Sequence, residues 1–188
     1  FEQQAKMPAE CDMASEFRYR DPIIDDNTLY IFVSQSGETA DTLAALNYCN
    51  EKKANTACVV NVVNSSIARD SNHVIYTKAG PEIGVASTKA FTAQLITLLS
   101  LSIICGSLKN HISKHQNQMI CKSMLSSPKI IEEAIQRSYS LKDTAKELVG
   151  SKGVMYLGRG TAFPLALEGA LKFKEISYIH AEGYPAGE

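Results

Sequence analysis

Two clusters of side chains in this 188-residue sequence have the types and spacing to do chemistry. The first is Glu168, Lys172 and Glu175, which fall at i, i+4 and i+7 and would share one helical face. A carboxylate beside a lysine supplies a general base and a cation to steady a developing oxyanion. The same spacing also describes a solvated Glu–Lys pair worth about 0.2–0.5 kcal/mol, and spacing alone favours that reading. Two features argue against it. The segment is otherwise apolar (Leu165, Ala166, Leu167, Ala170, Leu171, Phe173, Ile176), and it follows a strand-like run, which puts its first turns near a ligand crevice.

The second cluster is Ser34-Gln-Ser-Gly-Glu-Thr39, three hydroxyls, an amide and a glycine between an apolar run and a helix-like one. Gly37 lets backbone approach a ligand, and the free N–H groups of the following helix point to the same place. Hydroxyls and amides can hold a phosphate without Lys or Arg. A helix N-cap is the competing explanation, although a cap needs one hydroxyl and three are present. Further on, Gly80–Lys89 (GPEIGVASTK) precedes the longest apolar segment; by itself Ser87-Thr88 reads as an N-cap.

The elements that must position these clusters alternate. Thr28–Val33, Thr56–Val63, Val74–Thr77 and Gly153–Gly158 are apolar runs of strand character, the first two covered on both faces. Between and after them, 40–52, 88–104 and 164–178 have helical spacing, and Ser65–Asp70 is one helical turn. The 88–104 helix is apolar over so wide a face that burial is expected. Two amphipathic helices are expected over 111–125 and 128–149, divided at Ser126-Ser-Pro128 with the proline in a first turn. Strands alternating with helices across short turns predict an α/β fold with an open, mostly parallel sheet and helices on both faces. The boundary is expected near residue 150, with 1–150 one unit and 151–188 the start of a second.

Composition bounds the partners. The formal net charge is −1 and the pI about 6.5, so no electrostatic footprint for nucleic acid or an anionic membrane surface is expected. The most apolar stretch, Leu95–Cys105, is interrupted by Thr97, Ser100 and Ser102, and no membrane span is expected. Five dispersed cysteines suggest reduced thiols and a cytoplasmic setting rather than a disulfide framework or a metal site. His111 and His115 lie one turn apart without an intervening HExxH glutamate, and a solvated face is expected there rather than zinc. Gly158-Arg-Gly-Thr-Ala-Phe163 lacks the third glycine of a dinucleotide fingerprint.

SQSGETADT, then AGPEIGVASTKAFTAQL about fifty residues later, then ALEGALKFKEISYIHAE at 166–182, with EFRYR at 16–20, resemble the sugar isomerase (SIS) domain family. Within that family the sequence resembles the isomerase part of the glutamine–fructose-6-phosphate aminotransferases, collinearly over nearly the whole chain. The resemblance implies a flavodoxin-like three-layer sandwich and fructose 6-phosphate and glucosamine 6-phosphate as ligands, with no cofactor and no metal. It assigns the phosphate to Ser34, Gln35, Ser36 and Thr39, and the sugar to Val85 and Ser87. Glu175 becomes the base between C1 and C2, and Lys172, with Glu168 behind it, the proton relay and oxyanion stabiliser. It further implies a homodimer or higher homo-oligomer. The glutaminase domain, the first SIS strand with its phosphate-completing loop, the ring-opening histidine and the Schiff-base lysine are expected to lie outside these 188 residues. The segment alone is then expected to be inactive. A noncatalytic sugar-phosphate-binding module is the other class considered; such a sensor has no use for a base beside a lysine.

Overall fold

The computed structural model describes residues 1–187 and divides into two compact units, residues 1–82 with 87–124, and residues 83–86 with everything from Leu125 onward. The first unit is organised by three parallel strands in sequence order, β1 (Leu29–Ser34), β2 (Asn55–Val60) and β3 (His73–Tyr76). Leu29 pairs with Asn55 through to Ser34 with Val60, and Ala57 with His73 through to Val60 with Tyr76. Parallel neighbours need crossovers; two helices provide them, here numbered after the short N-terminal helices α1 (Glu2–Ala5) and α2 (Ala14–Phe17). They are α3 (Ala40–Glu51) and the single-turn α4 (Ser66–Asp70).

The central strand explains the apolar runs. Every residue of β2 from Thr56 to Val60 is buried, as covering on both faces requires. Cys58 and Val60 join Phe32, Leu46, Cys49 and Ile67 in the core beneath α3 and α4. Ala57 and Val59, of opposite parity, turn to the other face, where α5 (Lys89–Leu108) packs against β2. At the strand's entry the Thr56 N–H and side chain are met by Asn72, whose Oδ1 lies 2.9 Å from the Thr56 nitrogen.

Two expectations about α5 are corrected. The helix is expected to be largely buried, but only Ala90, Ser102, Ile103 and Gly106 are buried, and Leu95, Leu99, Ile104 and Leu108 are exposed. The hydroxyls do not interrupt the apolar run either. Thr97, Ser100 and Ser102 each donate to a carbonyl of the preceding turn, so the polar groups are satisfied inside the helix. With 20 residues and an 18-residue stretch of mean hydropathy 1.8, α5 is by length and composition long and apolar enough to cross a membrane. Within its unit it lies against α1 and β2.

The expected break at Pro128 is also absent. A single helix, α6 (Lys114–Ser138), carries the proline in its interior, and the short α7 (Lys142–Glu147) follows. Proline removes one donor from the ladder; in a 25-residue helix the remaining bonds carry the helix past it. The division between the compact units falls inside α6.

In the second unit β4 (Gly153–Gly158), α8 (Ala162–Ser177) and β5 (His180–Pro185) form one βαβ crossover, with Gly153 paired to His180 and Gly158 to Pro185. The strand β5 has too few apolar residues to be read from the sequence. Alternation along β4 sends Val154 and Tyr156 toward α8, where Tyr156 stacks near Phe173, and leaves Met155 and Leu157 exposed.

Candidate functional site

At the carboxyl end of β1 the chain leaves the sheet through Ser34–Thr39, the position where open α/β sheets bind ligands. The Ser34 side chain is buried and organises the turn. Its Oγ accepts the Gly37 N–H at 3.0 Å and lies 2.9 Å from the Thr39 hydroxyl. The Ser36 Oγ accepts the Glu38 N–H at 3.1 Å. Gly37 sits in the left-handed region at φ 65°, and a Cβ there would stand 2.0 Å from the Ser65 Oγ, so two conditions require glycine. Thr39 occupies the N-cap position of α3 but makes no side-chain cap bond. The hydroxyls are therefore engaged with one another and with the loop's own N–H groups, and capping does not account for them.

The second hydroxyl pair behaves differently from its expected capping role. Neither Ser87 nor Thr88 caps α5; the Glu82 carboxylate reaches the Ala90 N–H instead, at 3.1 Å. A carboxylate on the first turn is favourable against the positive end of the helix dipole. This leaves the Ser87 Oγ buried without a hydrogen-bond partner. Val85 is 93% exposed.

On α8 the sequence spacing becomes a contact. The Lys172 ammonium lies 3.3 Å from Glu168 Oε1 and 3.0 Å from Glu175 Oε2, with all three side chains between 23% and 34% exposed. Burial pulls the Lys172 pKa down, but the hydrogen bonds to Glu175 and Glu168 outweigh it and the net shift is upward. The ammonium is consequently a permanent donor at neutral pH, held between two acceptors. The buried stripe of α8 is Ala166 and Ala170, against the β4–β5 sheet, and the larger apolar residues Leu165, Leu167, Leu171 and Ile176 are exposed. The expectation that the apolar side chains leave little solvent face is thus not met.

Elsewhere the His180 imidazole lies 3.2 Å from Glu182, which also accepts from the Tyr184 hydroxyl along one face of β5. Among the described residues no group of three or more His, Cys, Asp or Glu is placed to hold a metal ion. A depression of about 690 Å³ lies at the amino ends of β2 and β3, lined by Asn50, Asn55, Asp70 and Asn72, away from the Ser34–Thr39 turn.

This geometry has a counterpart among known proteins: the SIS domain profile matches residues 1–104 and 147–188. The chain belongs to the SIS domain family. Over its full length it is 53% identical to a glutamine–fructose-6-phosphate aminotransferase [isomerizing] of Bradyrhizobium diazoefficiens and 50% identical to that of Bartonella henselae. It covers 31% of each of those proteins, about a third of their length. The C-terminal domain of glucosamine-fructose-6-phosphate aminotransferase from Francisella tularensis superposes with a TM-score of 0.95 at 43% identity over the whole chain and 53% of that structure. A glucosamine-6-phosphate deaminase from Thermotoga maritima, at 20% identity and a TM-score of 0.75 over 98% of this chain and 54% of that one, shares the fold. The expected α/β architecture, parallel strands with helices on both sides, is the SIS fold.

Within the SIS fold, residues that sequence reasoning passed over are those bracing the first loop. Glu38 accepts the Ser66 N–H at 2.7 Å, and the Gly37 carbonyl accepts that of Ile67 at 3.0 Å. Glu82 is a second omission. Its distance of eight residues from the N–H it caps puts it outside any local capping pattern.

Proposed function

We propose that the chain is the isomerase portion of a glutamine–fructose-6-phosphate aminotransferase, binding fructose 6-phosphate and moving a proton between C1 and C2 on the way to glucosamine 6-phosphate. The observation that carries this reading is the Lys172 ammonium shared by Glu168 and Glu175. The relatives' names and their identity along the full chain support it. In the proposed reaction Glu175 takes the proton from C1 and returns it to C2, and Lys172 donates to the oxygen on which negative charge develops. Glu168 keeps the ammonium in place and charged. Ser34, Gln35, Ser36 and Thr39 hold the phosphate by hydroxyl, amide and backbone donors, and Ser87, whose hydroxyl lacks a partner, together with Val85 lines the sugar. Ammonia would come from a glutaminase part outside this sequence, and a homodimer or higher homo-oligomer in the cytoplasm is the expected working form.

The test is Glu175→Gln in the full polypeptide that carries this chain. Exchange of the C1 proton of fructose 6-phosphate with deuterated water, followed by NMR, should be lost while sugar-phosphate affinity stays within a few-fold. Equal loss of exchange and binding removes Glu175 from the base role. Unchanged exchange assigns the base to another residue, and absence of exchange in the parent polypeptide favours the noncatalytic sugar-phosphate-binding module instead.

A further inference from the structure

We propose that Glu38 is a positioning residue for the phosphate end of the substrate, acting by pinning the Ser34–Thr39 loop to the first turn of α4. This rests on the reading of that loop as the phosphate cradle. The loop's internal bonds, from Ser34 to Gly37 and Thr39 and from Ser36 to Glu38, fix its curl but tie it to nothing beyond β1 and α3. Three bonds attach it to the segment that follows β2, the first from the Asn61 N–H to the Gln35 carbonyl at 3.2 Å. The Gly37 carbonyl accepts the Ile67 N–H at 3.0 Å, and the Glu38 carboxylate accepts the Ser66 N–H at 2.7 Å. Between them Ser65, nearly fully buried, fills the space beside the Gly37 Cα.

The charge on Glu38 makes this arrangement informative. A carboxylate inside a loop that receives a phosphate dianion repels it, so an acid there needs compensation. Here the Ser66 N–H is donated to it, and Arg69, which also bonds the Asn64 carbonyl and the Ser66 hydroxyl, adds attraction. Those contacts hold the Glu38 carboxyl below the usual carboxylate range, with the Ser66 backbone hydrogen bond the first cause. The carboxylate is thereby committed to α4, and the loop is held against the segment that follows β2. A hydroxyl cradle without fixed cations depends on such geometry, because each donor contributes only when aligned.

The bond can be cut from either side. Glu38→Ala removes the acceptor. Ser66→Pro removes the donor at the first helical position, where proline is tolerated, and the preceding Ser65 already has the extended backbone (φ −64°, ψ 162°) that proline asks of its neighbour. Ser66→Ala keeps the N–H and controls for the lost hydroxyl, and Glu38→Gln keeps an acceptor. The variants are made in the full polypeptide that carries this chain, with inorganic phosphate binding and the KM and kcat for fructose 6-phosphate as readouts.

Glu38→Ala and Ser66→Pro are each expected to weaken phosphate binding and raise KM about tenfold, with kcat changed less than twofold. Their combination should be no worse than either alone. Glu38→Gln and Ser66→Ala should stay within about twofold of the parent. Tighter phosphate binding by Glu38→Ala would show that the carboxylate acts only as a repelling charge, and overturns the proposal. Unchanged affinity in both Glu38→Ala and Ser66→Pro overturns it as well, provided that Ser36→Ala and Thr39→Ala do weaken binding. If those two also leave affinity unchanged, it is the cradle reading itself that has failed.

Discussion

Replacing Gly37 by alanine should cost the first unit several kcal/mol, and the structure divides that cost into two separable parts. The residue sits at φ 65°, where an L-side chain loses about 1–2 kcal/mol to its own backbone. The added methyl would also stand 2.0 Å from the Ser65 Oγ and 2.5 Å from the Ser65 Cβ, with the Val60 Cγ1 at an ordinary 3.5 Å. Ser65 is buried and cannot swing into solvent. Forcing the extra carbon into that space adds about 1–3 kcal/mol. The sum, about 2–5 kcal/mol, corresponds to amide exchange accelerated by about 30-fold or more at sites protected by opening of the unit. The chain has two units, so a whole-chain melt would mix them. Hydrogen exchange at the fully buried Val59 and Val60 of β2 reports the first unit alone. The diagnostic variant is Gly37→Ala with Ser65→Gly, which deletes both atoms responsible for the clash. Compared with Ser65→Gly alone it should retain only the backbone cost of about 1–2 kcal/mol. Exchange in Gly37→Ala within threefold of the parent would refute the strain argument. An equal penalty with and without the Ser65 side chain would refute the steric half of it.

Further outcomes follow from other contacts. Lys172→Met should lower the rate of C1 proton exchange by about 10²–10³-fold, the usual cost of one oxyanion donor, with fructose 6-phosphate binding within a few-fold; a loss under tenfold, measured by NMR, takes Lys172 out of that role. Asn72→Ala leaves the buried Thr56 N–H without its acceptor and should cost the first unit about 1–3 kcal/mol, read by hydrogen exchange at Val59 and Val60, whereas an exposed polar-to-alanine change costs under about 0.5 kcal/mol. Burial pushes the Cys49 thiol from its ordinary 9 up to about 11, so a thiol reagent at pH 8 should label the exposed Cys11 and Cys121 well before Cys49, as peptide mapping would show. The same shift makes stability pH-dependent in one direction: a raised folded-state pKa contributes fully below pH 9 and is lost as pH climbs toward about 11, and the raised Lys172 acts likewise above its ordinary 10.5. Urea midpoints should therefore fall between pH 8 and pH 11, less steeply in Cys49→Ala.

What the sequence made legible was local. Continuous apolar runs located β1 and β2 to within a few residues; β2 is covered on both faces as expected, whereas β1, expected to be so too, leaves Leu29 and Val33 exposed on one face. The spacing of Glu168, Lys172 and Glu175 gave the contact directly, since i, i+4 and i+7 neighbours meet on any helix. The hydroxyl loop was legible as a concentration of donors, and its phosphate assignment came from resemblance. Failures arose where a residue acts across the chain. Glu82 caps a helix eight residues away, and Glu38 bonds a turn 28 residues on; neither leaves a periodic trace. Pro128 was overread because a breaker propensity is local, and the ladder of a long helix outlasts one missing donor. β5 was missed because His180-Ala-Glu-Gly-Tyr-Pro185 has two apolar side chains, its pairing being set by β4 and α8 rather than by its own composition.

The two proposed halves of the chemistry have opposite electrostatics. Ser34–Thr39 leaves the carboxyl end of β1, and Glu168–Glu175 occupies the middle and last turns of α8, the crossover helix between β4 and β5. The loop has to receive a dianion in a chain of net charge −1, and it contains no Lys or Arg and one acid, Glu38, already engaged by a backbone N–H. Neutral donors suit such a ligand, because they attract an oxyanion without fixing a charge that would also attract buffer anions. The helix has to move a proton, for which a neutral cradle is useless. Two carboxylates around one ammonium supply a base and a donor together, and the ammonium keeps both acids from repelling one another. A lysine placed in the loop at Ser36 would strengthen phosphate binding and leave proton transfer unchanged, whereas removing Lys172 would slow proton transfer and leave binding within a few-fold. The separation of binding from chemistry is thus written in which cluster has the charge.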